Sequence, residues 1–358
     1  MHLRLGSRGS QLALWQVNHI GARLRSLGHT TEIAIIRTTG DRLQEPAFAA
    51  SHAVTPEMDA KGIFIKEIEE ALLAGAIDLA VHSLKDLATE MDARFALPAI
   101  PERADARDAL LSPEWLQLHT LPEGARVGTT SPRRKAQMLA HRPDLVFVEL
   151  RGNIDTRLRK LAAGECDALV LACAGIDRLG TRLLRTVELD PAHPEHGREA
   201  HVECVTHADH DHLADHFGAL LAGQFDEKEI VGQSDWIRQR FDVETMCPAP
   251  GQGALAIETL SDAVEVMTAV ATLDDASTRY AVEAERWLLH ALGGGCSLPV
   301  GAWCVDRVLH GNVTAADGDT VVCCAVDAEH DESARQLGER AAAELVARGA
   351  RKLLLAAD

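Results

Sequence analysis

Short apolar runs alternate with helical patterns over the first hundred residues of the chain. Apolar positions recur at helical spacing in residues 9–27 and 63–73, and shorter apolar runs predict strands at 3–5, 31–38 and 77–81. Strands that alternate with helices pair in parallel and are covered by helices on both faces. This part of the chain therefore predicts an α/β lobe.

The same alternation recurs further along the chain, although the sequence itself is not repeated. The strands and intervening helices expected there are 125–128, 131–141, 145–150, 153–164 and 168–172. A different pattern of helix, three strands and helix follows near the C-terminus, at 281–292, 300–305, 308–313, 321–326 and 333–348. The chain therefore predicts two α/β lobes and a smaller α+β unit.

Composition limits the class of protein. The chain has 358 residues, 46% of them hydrophobic, which is enough for two or three domains. It contains no apolar run near the roughly 18 residues of a membrane span, and its N-terminus lacks the apolar core of a signal peptide. Its eight cysteines form no C-x-x-C pair, so we expect reduced thiols in a cytoplasmic protein. A net charge of −18 argues against general binding of nucleic acid.

Positive charge is nevertheless concentrated in residues 126–160, which contain nine Lys/Arg and three Asp/Glu, a local net charge of +6. Two arginines in the first turn of the 131–141 helix oppose the helix dipole, which indicates an anionic partner. Because guanidinium groups bind carboxylates through paired hydrogen bonds, facing lobes lined by arginines predict a ligand with several carboxylates. The arginines at predicted strand-to-helix turns are Arg8, Arg133, Arg134, Arg151, Arg157 and Arg178.

Two polar clusters follow predicted strands of the first lobe. Thr38–Asp41 ends the second strand and His82–Asp86 ends the third, where open α/β sheets place their ligand sites. For Lys85 and Asp86, a surface ion pair of little energetic weight is the alternative interpretation. The intervening segment 42–60 has almost no periodicity and contains two prolines, which is typical of a lid or a disordered loop.

Three glycines precede Cys296, directly after the predicted helix over 281–292. Because no side chain occupies that flank, a bulky group can approach the sulfur atom. The alternative is a helix C-cap followed by an ordinary buried cysteine.

These residues occur in motifs that resemble the hydroxymethylbilane synthase family, also called the porphobilinogen deaminases. The motifs follow the family's order and cover most of the chain. They are Gly6–Trp15, Lys61–Phe64, Asp78–Asp86, Gly128–Arg134, Leu150–Leu158, Pro248–Ala254 and Gly294–Cys296.

The resemblance implies a transferase of porphyrin and haem biosynthesis. Four porphobilinogen molecules are joined head to tail, each with loss of ammonia, on a covalent dipyrromethane cofactor, and water then releases the linear tetrapyrrole. By the same resemblance, Cys296 holds the cofactor through a thioether, and Asp86 is the catalytic aspartate that stabilises the cationic azafulvene left when ammonia departs. The implied cofactor contacts are Lys85, Thr129, Ser131, Arg133, Arg134 and Arg157. The implied substrate contacts are Arg8, Ser10, Lys61, Arg151 and Arg178.

The fold implied by the resemblance is α/β, with two lobes like those of periplasmic binding proteins, parallel-rich sheets, and a small α+β C-terminal domain. We expect the first lobe at 1–100 and 251–271, the second at 105–250, and the cofactor-anchoring domain at 276–358. The expected state is a cytoplasmic monomer that acts on porphobilinogen and binds neither nucleic acid nor membrane.

An insertion around 190–240 departs from the family pattern. Residues 181–247 carry a net charge of −8 and seven of the 17 histidines. Their spacing matches no strong zinc signature, and acidic, His-rich insertions are often solvated loops, so no metal is predicted.

Two alternatives to the enzyme remain open. A non-catalytic, two-lobed protein that binds carboxylate ligands would share the fold but would need neither Asp86 nor Cys296. An inactive homologue altered by the insertion is the other, although every matched catalytic position is present in the chain.

Overall fold

The computed structural model of the chain describes residues 1–42, 62–179, 237–294 and 298–355. The strands are β1 (His2–Ser7), β2 (Thr30–Ile35), β3 (Leu79–Ser83), β4 (Phe95–Ala99), β5 (Asp108–Leu111), β6 (Arg126–Gly128), β7 (Val146–Val148), β8 (Ala168–Ala172), β9 (Ile237–Arg240), β10 (Leu255–Leu260), β11 (Val300–Val305), β12 (Val308–Thr314) and β13 (Val321–Asp327). The helices are α1 (Gln11–Ser26), α2 (Thr39–Arg42), α3 (Gly62–Leu73), α4 (Pro132–His141), α5 (Ile154–Ala162), α6 (Cys173–Arg178), α7 (Val264–Ala271), α8 (Ala276–Ala291), α9 (Ala334–Ala347) and α10 (Ala350–Leu355). Short 3-10 turns cover Leu84–Asp86 and Leu118–Thr120.

The first five-stranded sheet has the order β2-β1-β3-β10-β4. β1 pairs in parallel with β2 and β3, as the alternation of strands and helices predicts, whereas β10 runs antiparallel to β3 and β4. α1 buries Val17, Ile20 and Leu24 against Leu3 and Leu5 of β1. A strand from late in the chain therefore completes a sheet that the first hundred residues begin.

The second five-stranded sheet, β7-β6-β8-β5-β9, repeats this arrangement. β6 pairs in parallel with β7 and β8, while β5 runs antiparallel to β8 and β9. The predicted α/β class with parallel-rich sheets is thus confirmed. Because β3 and β8 each lead directly into a short helical turn, the residues that follow them lie at the carboxyl ends of central strands.

The third sheet is a three-stranded antiparallel meander, β11-β12-β13, covered by α8 and α9. Leu288 of α8 and Leu345 of α9 pack with Leu309 of β12 in its core. α8 begins five residues before the sequence-predicted start at 281, because the side chain of Asp275 caps it by accepting a hydrogen bond from the Thr278 amide (2.7 Å).

A buried ion pair links the third sheet to the segments that connect the two larger ones. Arg103 donates two hydrogen bonds to the carboxylate of Glu285, at 2.6 and 3.0 Å, and Glu285 is fully buried. The same carboxylate accepts from the amides of Gly251 (2.7 Å) and Cys304 (2.8 Å). All its hydrogen-bonding partners thus come from three different parts of the chain. The domain boundaries themselves stay predictions.

Candidate functional site

A cavity of about 140 Å³ lies where the carboxyl ends of the two larger sheets meet. The first sheet contributes residues that follow β3, the second contributes residues from α4, α5 and α6, and Gly253 and Ala254 close it from the segment before β10. No carboxylate is among the residues that line it in the described part of the chain. The side chains that give it a strong positive charge are Lys85, Arg134, Arg157 and Arg178.

Lys85 and Asp86 occupy the 3-10 turn at the end of β3. The ammonium group of Lys85 donates to Oε1 of Gln252 (3.1 Å). The pKa of Lys85 is lowered to about 8, chiefly by burial and also by the charge of Arg134, while the negative charge of Asp86 opposes the fall. Asp86 itself is exposed. A carboxylate that faces solvent thus lies within electrostatic range of a partly desolvated cation.

Arg157 and Arg178 reach the cavity from the second sheet. Burial lowers the pKa of each to about 10, so both stay charged at neutral pH. The buried Nε atom of Arg157 has no hydrogen-bond partner in the described part of the chain, and the charge of Asp86 acts on this side chain also. Arg178 donates to the carbonyl of Gly253 (2.6 Å) and lies 5.8 Å from the ring centroid of Trp15. Arg157 therefore retains a donor for an anion.

Arg133 and Arg134 share one fully buried carboxylate, that of Asp108. Arg133 donates to it at 2.7 Å and to the Cys247 carbonyl at 2.6 Å, whereas Arg134 donates at 2.8 and 3.2 Å. Burial would raise the pKa of Asp108, but the two guanidinium groups hold it well below its usual range. Within the chain, Asp108 therefore already supplies one anion to these two arginines. That they also contact an anionic ligand stays a prediction.

Only one of these two neighbours lines the cavity. Arg134 does, while Arg133 is turned toward Asp108 and Cys247. A cofactor contact for Arg133 stays a prediction.

The predicted hydroxyl contacts have structural roles at helix starts. Ser10 caps α1 by accepting from the amide of Ala13 (3.3 Å), and Ser131 caps α4 by accepting from the amide of Arg134 (3.4 Å). Thr129 is buried, and its hydroxyl accepts from the amide of Ser131 (3.2 Å). Capping does not prevent a hydroxyl from contacting a ligand, so these predictions stay open.

The two remaining arginines are not among the described residues that line the cavity. The guanidinium group of Arg8 stacks on the ring of Phe64, 4.0 Å from its centroid. The side chain of Arg151 is 76% exposed and lies 3.7 Å from Glu149. Lys61 and Cys296, together with the predicted lid and most of the His-rich insertion, lie outside the described residues.

Sequence reasoning missed Asp108 and Gln252. The amide group of Gln252 donates to Asp108 (2.9 Å) and to the Ala106 carbonyl (2.7 Å), while its oxygen accepts from Lys85. It thereby joins a cation of the first sheet to the anion of the second. Asp108 begins the otherwise apolar strand β5, and a charged residue in such a run indicates a buried ion pair, because buried charges are almost always paired. Gln252 offered no comparable signal.

The cavity fits an organic group that carries several carboxylates. It presents four cations, one of which, Arg157, has a buried Nε without a partner among the described residues, and no carboxylate is among the described residues that line it. Within the same described ranges, no group of three or more His, Cys, Asp and Glu could hold a metal ion. No helix of the described chain is long and apolar enough to cross a membrane.

Comparisons with known proteins agree with this chemistry. Residues 3–209 match the family model "Porphobilinogen deaminase, dipyromethane cofactor binding domain", and residues 279–347 match "Porphobilinogen deaminase, C-terminal domain". The chain is 39% identical over 359 residues to a porphobilinogen deaminase of Xanthomonas euvesicatoria, with 98% of each chain covered. It is 37% identical over 371 residues to the porphobilinogen deaminase of Sulfurimonas denitrificans, with 99% of this chain and 97% of that one covered.

Among solved structures, a periplasmic substrate-binding protein of an ABC transporter from Coxiella burnetii aligns with 76% of this chain and 91% of its own. Its TM-score is 0.38 and its identity is 12%.

Proposed function

The chain belongs to the porphobilinogen deaminase family, and we propose that Asp86 is the residue that carries out its chemistry, on a cofactor held by Cys296. Family membership establishes the reaction and the cofactor. The reaction is the stepwise condensation of four porphobilinogen molecules with loss of ammonia, followed by hydrolytic release of the linear tetrapyrrole. The cofactor is dipyrromethane, which supplies a covalent primer for the growing chain when bound.

The assignment of Asp86 is supported by its position next to Lys85, one of the four cationic residues that line the cavity. Asp86 is exposed at the carboxyl end of β3, and its charge acts on both Lys85 and Arg157. Those cations can bind the acetate and propionate groups of the substrate. The carboxylate of Asp86 can stabilise the positive charge that develops on the pyrrole as ammonia leaves. Asp86 therefore stands where a substrate held by its acidic arms would need a negative group.

The surrounding residues bind and orient rather than react. Arg157 and Arg178 donate to carboxylates from the second sheet, and Lys85 donates from the first, so one ligand can be held from both sides. Arg134 is fixed by Asp108 and presents its charge to the cavity without freedom to follow a moving ligand. Because these cations are already partly desolvated, binding a carboxylate regains interactions that burial has removed. Asp86 is the only residue to which we assign proton transfer in the reaction.

The assignment of Cys296 depends on the family resemblance and on the end of α8. That helix ends at Ala291, and Gly293 and Gly294 follow with φ of 111° and 62°. Within the described ranges, no heavy atom lies within 4 Å of the position a Cβ would take at either glycine. Lys61, Arg8, Ser10 and Arg151 remain proposed contacts to substrate, and Thr129, Ser131 and Arg133 to cofactor.

We also infer a transferase that works in the cytoplasm as a monomer. Six cysteines of the described chain are free thiols, five of them buried, which suits a reducing compartment. A binding protein without chemistry, the rival interpretation, would have no use for an exposed aspartate among its ligand-binding cations.

Two measurements test the proposal. Intact-mass spectrometry should show an adduct of two linked pyrroles that disappears in Cys296→Ser, and an unmodified thiol in active protein would exclude Cys296. Asp86→Asn should bind porphobilinogen but turn it over about a hundredfold slower or worse, the usual scale for losing an acid–base group. Asp92→Asn is the matched control, since Asp92 lies six residues on, is exposed and pairs with Arg94. Near-normal turnover by Asp86→Asn would exclude Asp86.

A further inference from the structure

The turn that carries Asp86 is held by a side chain from the third unit. Arg286 of α8 extends across to this turn and donates to carbonyl oxygens on both sides of Asp86. Nη1 donates to Leu84 (3.4 Å) and Leu87 (3.3 Å), and Nη2 donates to Ala88 (2.5 Å) and Thr89 (3.2 Å). One guanidinium group thus binds four carbonyls within six consecutive residues.

A 3-10 turn cannot pair all of its own carbonyls. The Leu87 amide closes the 3-10 turn by donating to the Leu84 carbonyl (3.1 Å), but the carbonyls at the end of a helical turn have no partner within it. The fork of an arginine satisfies several of them at fixed angles, which a lysine ammonium group cannot do. Burial lowers the pKa of Arg286 to about 10, so it is charged at neutral pH and its hydrogen bonds are charge-assisted.

A second contact repeats the link one helical turn later. His290, four residues after Arg286 and on the same face of α8, lies 3.7 Å from Glu90. This face therefore follows the segment from Leu84 to Glu90 over its length. α8 then ends at Ala291, five residues before Cys296.

We propose that Arg286 is a positioning residue, which sets the place of Asp86 relative to the helix that leads into the cysteine loop. This inference rests on the proposed function of Asp86 and Cys296. Asp86 lies on a short turn after β3 of the first sheet, whereas α8 belongs to the third unit. A single rigid fork holds the turn of Asp86 in a fixed place relative to α8. Misplacement of a reacting group by about 1 Å can cost a hundredfold in rate.

The alternative is that Arg286 only docks the third unit onto the first sheet. α8 contains a matched control for that role. Arg279, two turns earlier on the helix, donates to the Leu97 carbonyl of β4 (2.9 Å) and pairs with Asp274 and Glu283, all away from the turn of Asp86. Arg279→Gln therefore weakens docking of the same helix to the same sheet and leaves the turn untouched.

The experiment compares Arg286→Gln, Arg286→Lys and Arg279→Gln in the full-length holoenzyme, and checks cofactor occupancy by intact mass. Arg286→Gln should keep the adduct and lower kcat roughly 10- to 100-fold with KM for porphobilinogen within about threefold, because it misplaces Asp86 without altering the cations. Arg286→Lys should recover part of kcat, and Arg279→Gln should keep nearly all of it. If Arg286→Gln is insoluble, Arg286→Lys takes its place, with an expected fall in kcat of about fivefold.

Combination with Asp86→Asn separates positioning from docking. If Arg286 acts through Asp86, its replacement in the Asp86→Asn background should cost less than about threefold more, since the positioned group is already gone. Three results would each overturn the inference and leave the proposed function intact. They are losses of kcat that multiply in the double variant, an unchanged kcat in Arg286→Gln, and an equal fall of kcat in Arg279→Gln. Near-normal turnover by Asp86→Asn alone would instead refute the proposed function, and this inference with it.

Discussion

Replacing Asp108 by asparagine should destabilise the protein severely, because one buried charge holds two others. Asp108 is fully buried, and the side chains of Arg133 and Arg134 are only 4% and 8% exposed. The carboxylate accepts from Arg133 (2.7 Å), from Arg134 (2.8 and 3.2 Å) and from Gln252 (2.9 Å). Asparagine keeps the shape and one acceptor but removes the charge, which leaves two guanidinium groups uncompensated in the interior.

Removal of one partner from a buried ion pair costs about 3–5 kcal/mol, most of it the penalty of the stranded charge. With a urea m-value of about 3 kcal/mol/M, that loss moves the unfolding midpoint down by roughly 1–2 M. The pKa of Asp108 is depressed in the folded state, so this stabilisation is present above the ordinary carboxyl pKa and is lost only as pH falls toward the folded value. Urea titrations near pH 7, followed by circular dichroism, therefore measure it in full.

Asp144→Asn is the control for this measurement. Asp144 also pairs with an arginine, Arg142 at 2.6 Å, but its side chain is 28% exposed, so water can compensate for the lost charge. Its replacement should cost about 1 kcal/mol or less. Equal losses in the two variants, or a loss under about 1 kcal/mol for Asp108→Asn, would refute the view that Asp108 neutralises a buried pair.

Two further predictions concern ligand binding and the segment between the sheets. Because the pKa of Lys85 is about 8, its charge is lost as pH rises through that value, so affinity for porphobilinogen should fall above pH 8. Binding should take up protons at pH 8.5, measurable by calorimetry in two buffers of different ionisation enthalpy, and equal heats in both would contradict this. Gly253→Ala should destabilise the protein by about 2–3 kcal/mol, since φ is +89° and a Cβ would lie 2.5 Å from the Ala104 carbonyl. Gly164 has φ +73° and no atom of the described residues within 4 Å of an added Cβ, so Gly164→Ala should cost less in the same urea titration. Equal losses in the two variants would exclude a steric contribution to the loss in Gly253→Ala.

The order of elements was readable from the sequence because it depends on local spacing. Apolar periodicity predicted β8 at its observed bounds and most other strands and helices of the two larger sheets within a few residues. The position of Asp86 and Lys85 after a central strand was equally local, since it required only that the strand be recognised. β4, β5, β9 and β10 were not predicted as strands, because their antiparallel pairing depends on partners distant in the chain.

The tertiary structure alone decided which charged groups face a ligand and which face each other. Arg133 and Arg134 are neighbours in sequence, yet only Arg134 lines the cavity, because successive residues of a helix point about 100° apart. Their partner is 25 and 26 residues away, and Gln252 meets the same carboxylate across 144 residues. Arg286 reaches the turn of Asp86 from 202 residues further along. No spacing in a sequence encodes such distances, because folding brings these charges together and burial then determines how strongly they interact.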